Sequence, residues 1–92
     1  MPRNELVNVF AEITDPAEMN RFFGEIFTPK ERDALTLRWR LLKELHEGRT
    51  QRDIAARHGI SLCKITRGSK VLKQKNSVVM KILDRRMENP VK

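Results

Sequence analysis

The residues between positions 50 and 72 constrain the fold of this chain most, because they specify two short helices joined by a tight turn. Ile54 and Ala55 fall on one face of the first helix, and alanine is small where a second helix must cross closely. Gly59 lies at the turn, where a positive φ costs little without a Cβ. Ile65 returns to the same core one helix later. This spacing predicts a helix-turn-helix, a motif whose second helix enters the major groove of DNA.

Positive charge is concentrated on the same segment. The whole chain has a formal net charge of +7. Residues 49–75 contain eight lysines and arginines against one aspartate, whereas residues 1–48 have a net charge of −2. A basic block on a helix-turn-helix, beside a slightly acidic remainder, is typical of a protein that binds a polyanion. The sequence therefore favours DNA binding over an ordinary helical hairpin with a solvated face.

Helical periodicity continues over the rest of the chain, and no stretch alternates with period two. Apolar spacing predicts a short helix over residues 4–13, and Gly48 is expected to stop a long helix that runs to Glu47. Five helix starts are marked by residues that commonly cap helices: Asp15, Thr28, Thr50, Ser61 and Ser77. The last helix is expected to run through Met87. We therefore expect an all-α, six-helix bundle that forms a single domain over residues 1–92.

The first half of the chain carries more large apolar side chains than a small monomer covers. Hydrophobic residues make up 39% of the 92 residues, near the size at which one core is only marginally sufficient. The second helix has a wide apolar face with Met19, Phe22, Phe23, Ile26 and Phe27. The long third helix is expected to point Leu35, Trp39, Leu42 and Leu45 inward. Faces this wide predict a homodimer in which two chains bury their apolar faces in one shared core.

Several classes of protein are disfavoured. The one cysteine, Cys63, forms neither an internal disulfide nor a metal site by itself, which suits a reducing cytoplasm. No apolar run approaches the roughly 20 residues of a membrane span, and the N-terminus does not lead into a signal peptide. His46 and His58 have no nucleophile or paired carboxylate at catalytic spacing, so we expect both to be solvated and the protein not to be an enzyme.

Two other classes of nucleic-acid-binding protein are alternatives to this interpretation. Residues 27–67 also look like the DNA-binding region of sigma factors, although a sigma factor needs a further domain for promoter melting, which we do not expect in 92 residues. An RNA-binding or nucleoid accessory protein is a second alternative. It lacks support because Trp39 and the four phenylalanines fall on apolar faces, which leaves no exposed aromatic pair to stack on bases.

Three short segments carry a family resemblance. They are Thr28-Pro29-x-Glu31-Arg32-x-Ala34-Leu35, then Gln51-Arg52, then Ile65-Thr66-Arg67-Gly68-Ser69-x-x-Leu72-Lys73. Through them the chain resembles the Trp repressor family over about residues 25–75. The resemblance implies an intertwined, all-helical homodimer that presents two helix-turn-helix units to a palindromic double-stranded DNA operator. The implied function is that of a transcriptional repressor.

The resemblance also implies a corepressor, L-tryptophan, bound between the long central helix and the recognition helix. Arg38 and Arg67 match two arginines that sandwich the indole, one of which also meets the carboxylate. Thr28 matches a hydroxyl near that carboxylate, and Gly68 matches a close approach of the backbone. Planar guanidinium groups suit this ligand because they stack on an aromatic face and bind a carboxylate.

Three departures set this chain apart from the family pattern. Val71 stands where the family usually has a serine whose hydroxyl helps to hold the ligand's ammonium group. Lys64 replaces a smaller polar residue at the junction of ligand and DNA, and the turn after Gly48 is one residue shorter than in enterobacterial-type repressors. We therefore expect tryptophan to bind more weakly here, and a related regulator with no tryptophan dependence is an open alternative.

The DNA contacts are assigned by position in the helix-turn-helix. Gln51 and Arg52 open the unit, and Arg52 is expected to make a bidentate contact with guanine. Base edges are expected to face, directly or through water, Leu62, Cys63 and Thr66. Phosphates are expected to meet Lys64, Lys70 and Lys73, which position the protein without specifying a sequence.

Overall fold

The computed structural model describes residues 4–88, and every regular element in that range is a helix. The helices are α1 (Glu5–Glu12), α2 (Pro16–Ile26), α3 (Pro29–His46), α4 (Gln51–His58), α5 (Leu62–Lys73) and α6 (Val78–Glu88). No strand occurs between residues 4 and 88. The predicted all-α class with six helices is confirmed. In this part of the chain, no helix is both long and apolar enough to cross a membrane.

Hydrogen bonds at the helix N-termini account for two of the boundaries in the first half of the chain. The Asp15 carboxylate accepts from the backbone N–H of Glu18 at 3.2 Å, and so caps α2. At the start of α3, the Thr28 hydroxyl accepts from the N–H of Glu31 at 3.2 Å. The Glu31 carboxylate in turn accepts from the N–H of Thr28 at 2.9 Å. The predicted capping box is therefore confirmed with both of its bonds.

The caps in the second half differ from one another. The Thr50 hydroxyl accepts from the N–H of Asp53 at 3.1 Å, and the Ser77 hydroxyl accepts from the N–H of Met80 at 3.2 Å. Ser61 occupies the N-cap position of α5, but its side chain makes no capping hydrogen bond. The start of α5 therefore depends on packing more than on its cap.

The chain divides into two compact units, one up to Leu35 and one from Thr36 onward. In the first unit, Phe10 lies edge-on to Phe22, with ring centroids 5.3 Å apart, and stacks with Phe27 at 6.3 Å. Arg32 Nη1 donates to the carbonyl oxygen of Phe27 at 2.6 Å. Yet no described residue of this unit is buried. Its apolar side chains therefore remain half-covered or exposed.

The second unit contains a well-buried core. Ile54 on α4 and Ile65 on α5 are both 0% exposed, and they pack with Leu41 of α3, which is 6% exposed. The partly buried side chains around this cluster are Leu37, Leu45, Ala55 and Ile60. Because α5 packs against α6 as well as α4, it is held by two neighbouring helices.

The predicted inward face of α3 is partly wrong. Leu42 is buried as expected, but Trp39 is only half-buried and lies outside the core cluster, whereas Leu41 lies in it. Position 39 lies about 200° around the helix from position 41, at roughly 100° per residue. Trp39 instead lines a cavity of about 220 Å³ on another side of α3, together with Glu44 and Arg57.

Candidate nucleic-acid interface and effector cavity

The turn between α4 and α5 has the geometry that the sequence predicts. Gly59 ends α4 in the left-handed conformation, with φ 63° and ψ 38°, and its N–H bonds to the carbonyl oxygen of Ala55. The N–H of Ile60 bonds to the same oxygen at 3.2 Å. This left-handed helix cap turns the chain sharply into α5, and glycine is the residue that adopts it without strain.

The structure brings two of the residues assigned to DNA binding into direct contact. The Thr66 hydroxyl lies 3.0 Å from Gln51 Oε1 and 2.9 Å from the carbonyl oxygen of Leu62, so it donates to either. Gln51 is half-buried at the start of α4, and Thr66 is exposed on α5. This contact ties the first turn of α4 to α5 and orients the Gln51 amide.

The remaining residues assigned to DNA lie on the exposed side of the motif. Leu62 is 46% exposed at the start of α5, and the thiol of Cys63 is free and exposed beside it. The cationic side chains assigned to DNA are also exposed: Arg52, Lys64, Lys70 and Lys73. The helix-turn-helix therefore presents cations and reading candidates outward while Ile54 and Ile65 face the core.

A cavity of about 200 Å³ lies between α3 and α5. Three of the four residues assigned to a ligand line it: Arg38, Arg67 and Gly68. Drug-sized ligands occupy pockets of about 300–1,000 Å³, so this cavity suits a smaller molecule. The fourth assigned residue, Thr28, belongs to the first unit, where its hydroxyl caps α3.

Gly68 lies where α5 approaches two leucines of α3. A Cβ at this position would lie 3.4 Å from Leu42 Cδ2 and 3.4 Å from Leu45 Cδ1, at the near limit of ordinary van der Waals contact. Val71 and Lys64, two of the departures from the family pattern, also line the cavity. Position 64 therefore faces the cavity as well as solvent, so the phosphate role assigned to its lysine is not its only candidate role.

A buried ionic cluster behind α4 escaped the sequence-based assignment. Glu44 on α3 is 6% exposed, its Oε1 lies 3.3 Å from Arg57 Nη1, and its Oε2 lies 2.8 Å from His58 Nε2. Because a carboxylate only accepts hydrogen bonds, the His58 ring nitrogen is the donor. The partners are separated by 13 and 14 positions in the sequence, which no helical periodicity reveals.

The electrostatics of this cluster favour the ionised carboxylate. Burial of Glu44 raises its pKa, but the hydrogen bond from His58 and the charges of His58, Arg57 and Arg49 outweigh that effect. The pKa of Glu44 therefore lies below its ordinary value of 4.5. The cluster ties the end of α4 to α3.

The expectation that both histidines are solvated is wrong. The His58 side chain is 18% exposed and bonds to Glu44, and the His46 side chain is 10% exposed. His46 Nε2 lies 2.7 Å from Asp84 Oδ1, which connects α3 to α6. Both histidines lie at the ends of helices and meet carboxylates on neighbouring helices, so tertiary packing shields them from water.

Comparison with known proteins identifies the family. A family model described as "Trp repressor protein" matches residues 3–87. The chain belongs to the Trp repressor family. Members of this family regulate transcription and are not enzymes, which confirms the prediction that the chain is not an enzyme.

Three curated relatives named "Trp operon repressor homolog" illustrate the similarity. The Chlamydia caviae protein is 34% identical over 70 residues, which cover 75% of this chain and 69% of the relative. The Vibrio parahaemolyticus protein is 34% identical over 73 residues, or 78% and 71% of the two chains. The protein of Chlamydia trachomatis serovar D is 33% identical over 69 residues, which cover 70% of this chain and 73% of the relative. No solved structure gave a significant match.

Proposed function

We propose that this member of the Trp repressor family is a sequence-specific DNA-binding transcriptional repressor in which residues 1–92 act as one domain in a reducing cytoplasm. The observation that carries the proposal is a helix-turn-helix whose two helices are joined through fully buried Ile54 and Ile65. The segment that contains it, residues 49–75, has eight basic side chains against one acidic side chain. Rigid packing with a strongly cationic exposed side supports insertion of α5 into the major groove.

Arg52 is the proposed base reader, and its loss should reduce discrimination between DNA sequences. We expect Arg52→Ala to weaken binding to the selected operator by about 1–3 kcal/mol, with a much smaller effect on random duplex, because a bidentate contact to guanine is lost. The operator is first selected from a random duplex library. Fluorescence anisotropy with operator and random duplexes at several salt concentrations then measures the change.

Lys73→Ala shows, for comparison with Arg52→Ala, the effect of losing a phosphate contact. As a phosphate contact, Lys73 should contribute equally to all sequences, so the variant should bind both duplexes more weakly and show a shallower dependence on salt. Arg85→Ala, at an exposed position of α6, is the matched control for the loss of one cation. Equal losses on operator and random duplex for Arg52→Ala would contradict its assignment as a reader.

We further propose that the repressor is an intertwined homodimer, which places two helix-turn-helix units on a palindromic operator. Support comes from the first unit, in which no described residue is buried. Exposed large apolar side chains there include Leu6, Val7 and Ile26, with exposures of 36%, 60% and 41%. Apolar faces of this kind are commonly covered by a second copy of the chain.

Sedimentation equilibrium should show a dimer at micromolar concentration. Ile26→Lys should raise the dimer dissociation constant about tenfold or more, because burial of one isoleucine side chain contributes about 1.5–3 kcal/mol. Asn20→Lys adds one positive charge at another exposed position of α2 and serves as the control for added positive charge. A folded wild-type monomer at micromolar concentration would refute both the dimer and the palindromic operator.

We propose that L-tryptophan or a similar small effector controls DNA binding from the cavity between α3 and α5. The cavity volume of about 200 Å³ and the presence of Arg38 and Arg67 in its lining support this proposal. Guanidinium groups stack on an aromatic ring and bind a carboxylate. Thr28 remains a proposed ligand residue on the family resemblance alone. A regulator that binds DNA without any effector is the alternative.

Arg67→Ala should abolish binding of the effector, because it removes one of the two planar cations of the cavity. Isothermal titration with L-tryptophan measures binding, and anisotropy with and without L-tryptophan measures its effect on operator affinity. Lys81→Ala, which removes an exposed cation from α6, should leave the heats unchanged. If saturating L-tryptophan produces neither heat nor a change in operator affinity, tryptophan gating is wrong, whereas DNA binding is unaffected by that result.

A further inference from the structure

A second cavity lies on another side of α3, beside Trp39, and has a volume of about 220 Å³. We refer to it as the Trp39 cavity. Among the described residues, it shares no lining residue with the cavity between α3 and α5. Its lining comes from α3, from α4 and from the turn between them, and it includes four cationic side chains against two acidic ones. A site in this cavity is therefore separate from the proposed effector site.

Both acidic side chains of the lining already have cationic partners. The Glu44 carboxylate is held by its two partners on α4, at 3.3 Å and 2.8 Å. Glu47 Oε1 lies 3.9 Å from Arg49 Nε, and Arg49 Nη1 lies 3.7 Å from Asp53 Oδ2. The negative charges of the lining are therefore balanced by the cations of α4 and of the turn.

The two remaining cations of the lining, Arg40 and Lys43, form no ion pair with any residue that the structure describes. Both are exposed, and their i, i+3 spacing on α3 places like charges on one face of the helix, which is unfavourable. Thr36, one turn before Arg40, adds a hydroxyl that donates a hydrogen bond. An anion between these groups removes the repulsion and accepts charge-assisted hydrogen bonds.

The surplus of two positive charges suits a phosphate monoester better than a carboxylate. A phosphate monoester carries about 1.5 to 2 negative charges at neutral pH and has three strong acceptor oxygens, whereas a carboxylate carries a single charge. Trp39 lines the same cavity and is half-buried, so it offers an aromatic surface on which a planar ring stacks. Because most of the lining residues are exposed, the cavity opens to solvent, and a ligand larger than the cavity extends from it.

We propose that the Trp39 cavity binds an organic phosphate that carries a planar aromatic ring, as a mononucleotide does. The phosphate binds to Arg40, Lys43 and Thr36, and the ring packs against Trp39. Duplex DNA is a poorer occupant, because each backbone phosphate carries one charge and the bases are stacked inside the helix. The inference goes beyond the proposed repressor function and does not depend on it.

Three compounds separate the contributions of the phosphate and the ring: adenosine monophosphate, adenosine and inorganic phosphate. Trp39 is the only tryptophan and the chain has no tyrosine, so the indole fluorescence of the full-length protein reports on this cavity. We expect adenosine monophosphate to change that fluorescence. In isothermal titrations, it should bind about tenfold or more tightly than adenosine or inorganic phosphate, because only the nucleotide combines the charged hydrogen bonds with ring stacking.

Substitutions at exposed positions test the phosphate contacts. Arg40→Gln and Lys43→Gln should each weaken adenosine monophosphate about tenfold without changing the affinity for adenosine. Lys81→Gln, at an exposed position of α6, is the matched control for the loss of one cation and should leave the nucleotide affinity unchanged. Arg67→Ala should also leave it unchanged, because Arg67 lines the other cavity.

Trp39→Leu tests the ring contact by isothermal titration. It should weaken adenosine monophosphate but not inorganic phosphate, since it removes the stacking surface and keeps the cations. Circular dichroism on each variant checks that the helices are retained. If Trp39→Leu fails to fold, the comparison of adenosine monophosphate with inorganic phosphate on the wild-type protein still decides whether a ring contributes.

Four results would overturn the inference. Adenosine monophosphate might as a ligand give no heat and no fluorescence change, or bind no more tightly than inorganic phosphate. An affinity unchanged by Arg40→Gln and Lys43→Gln, or lost in Arg67→Ala, would place the nucleotide at another site. If random duplex DNA displaces the nucleotide and the same two glutamine variants weaken duplex binding, the cavity is part of a DNA-backbone contact instead. None of these results bears on operator selection by the helix-turn-helix, which is measured separately with Arg52→Ala.

Discussion

Ile65→Ala should lower the free energy of unfolding by about 2–5 kcal/mol, because it removes a fully buried side chain and leaves a cavity between α4 and α5. Ile65 and Ile54 are both 0% exposed and join the two helices of the motif through the same cluster. Natural domains are stable by only about 5–15 kcal/mol. A single substitution at this position is therefore expected to remove a large part of the stability of the unit.

Urea denaturation monitored by circular dichroism measures this loss. Leu62→Ala is the matched control for stability, because Leu62 lies on the same helix but is 46% exposed. We expect that control to change the free energy of unfolding by less than about 1 kcal/mol, in keeping with substitutions at exposed positions. Similar losses for the two variants would show that the helix-turn-helix is not held by the buried cluster.

Glu44→Gln should also destabilise the protein, by about 1.5–3 kcal/mol at neutral pH. The substitution keeps the size of the side chain but removes the charge that holds Arg57 at 3.3 Å and His58 at 2.8 Å. The Arg57 side chain is 46% exposed, so water screens its share of the interaction, and the loss is smaller than that for a fully buried ion pair. Glu47→Gln, directly after the end of α3, is the control, because the Glu47 side chain is 47% exposed.

The same substitution should change the dependence of stability on pH. The folded-state pKa of Glu44 lies below 4.5, so its ionisation stabilises the fold above that pH, and the contribution is lost as pH falls through the folded-state pKa. Urea midpoints between pH 7 and pH 3 should therefore fall less steeply for Glu44→Gln than for the wild type. Parallel curves for the two proteins would contradict the lowered pKa.

Local signals in the sequence were sufficient to predict the helices and the turn. Thr28 and Glu31 form the capping box, Gly59 adopts the left-handed conformation, and Ile54 and Ile65 are buried as their spacing indicates. Caps and left-handed turns depend on residues within about four positions of one another, which is why they are readable from one chain. Three motif segments were likewise sufficient to indicate the family, which the match over residues 3–87 confirms.

The sequence by itself determined the six helices, the helix-turn-helix and the cationic segment of this protein, because these depend on periodicity, composition and short-range capping. Only the tertiary structure decided that Glu44 is buried against Arg57 and His58, since these contacts join residues on different helices. It also decided that Lys64 lines the cavity with Arg67, and that Trp39 lies outside the core. The rotation of α3 and the approach of α5 set these contacts, and both result from packing over the whole unit rather than from any local pattern.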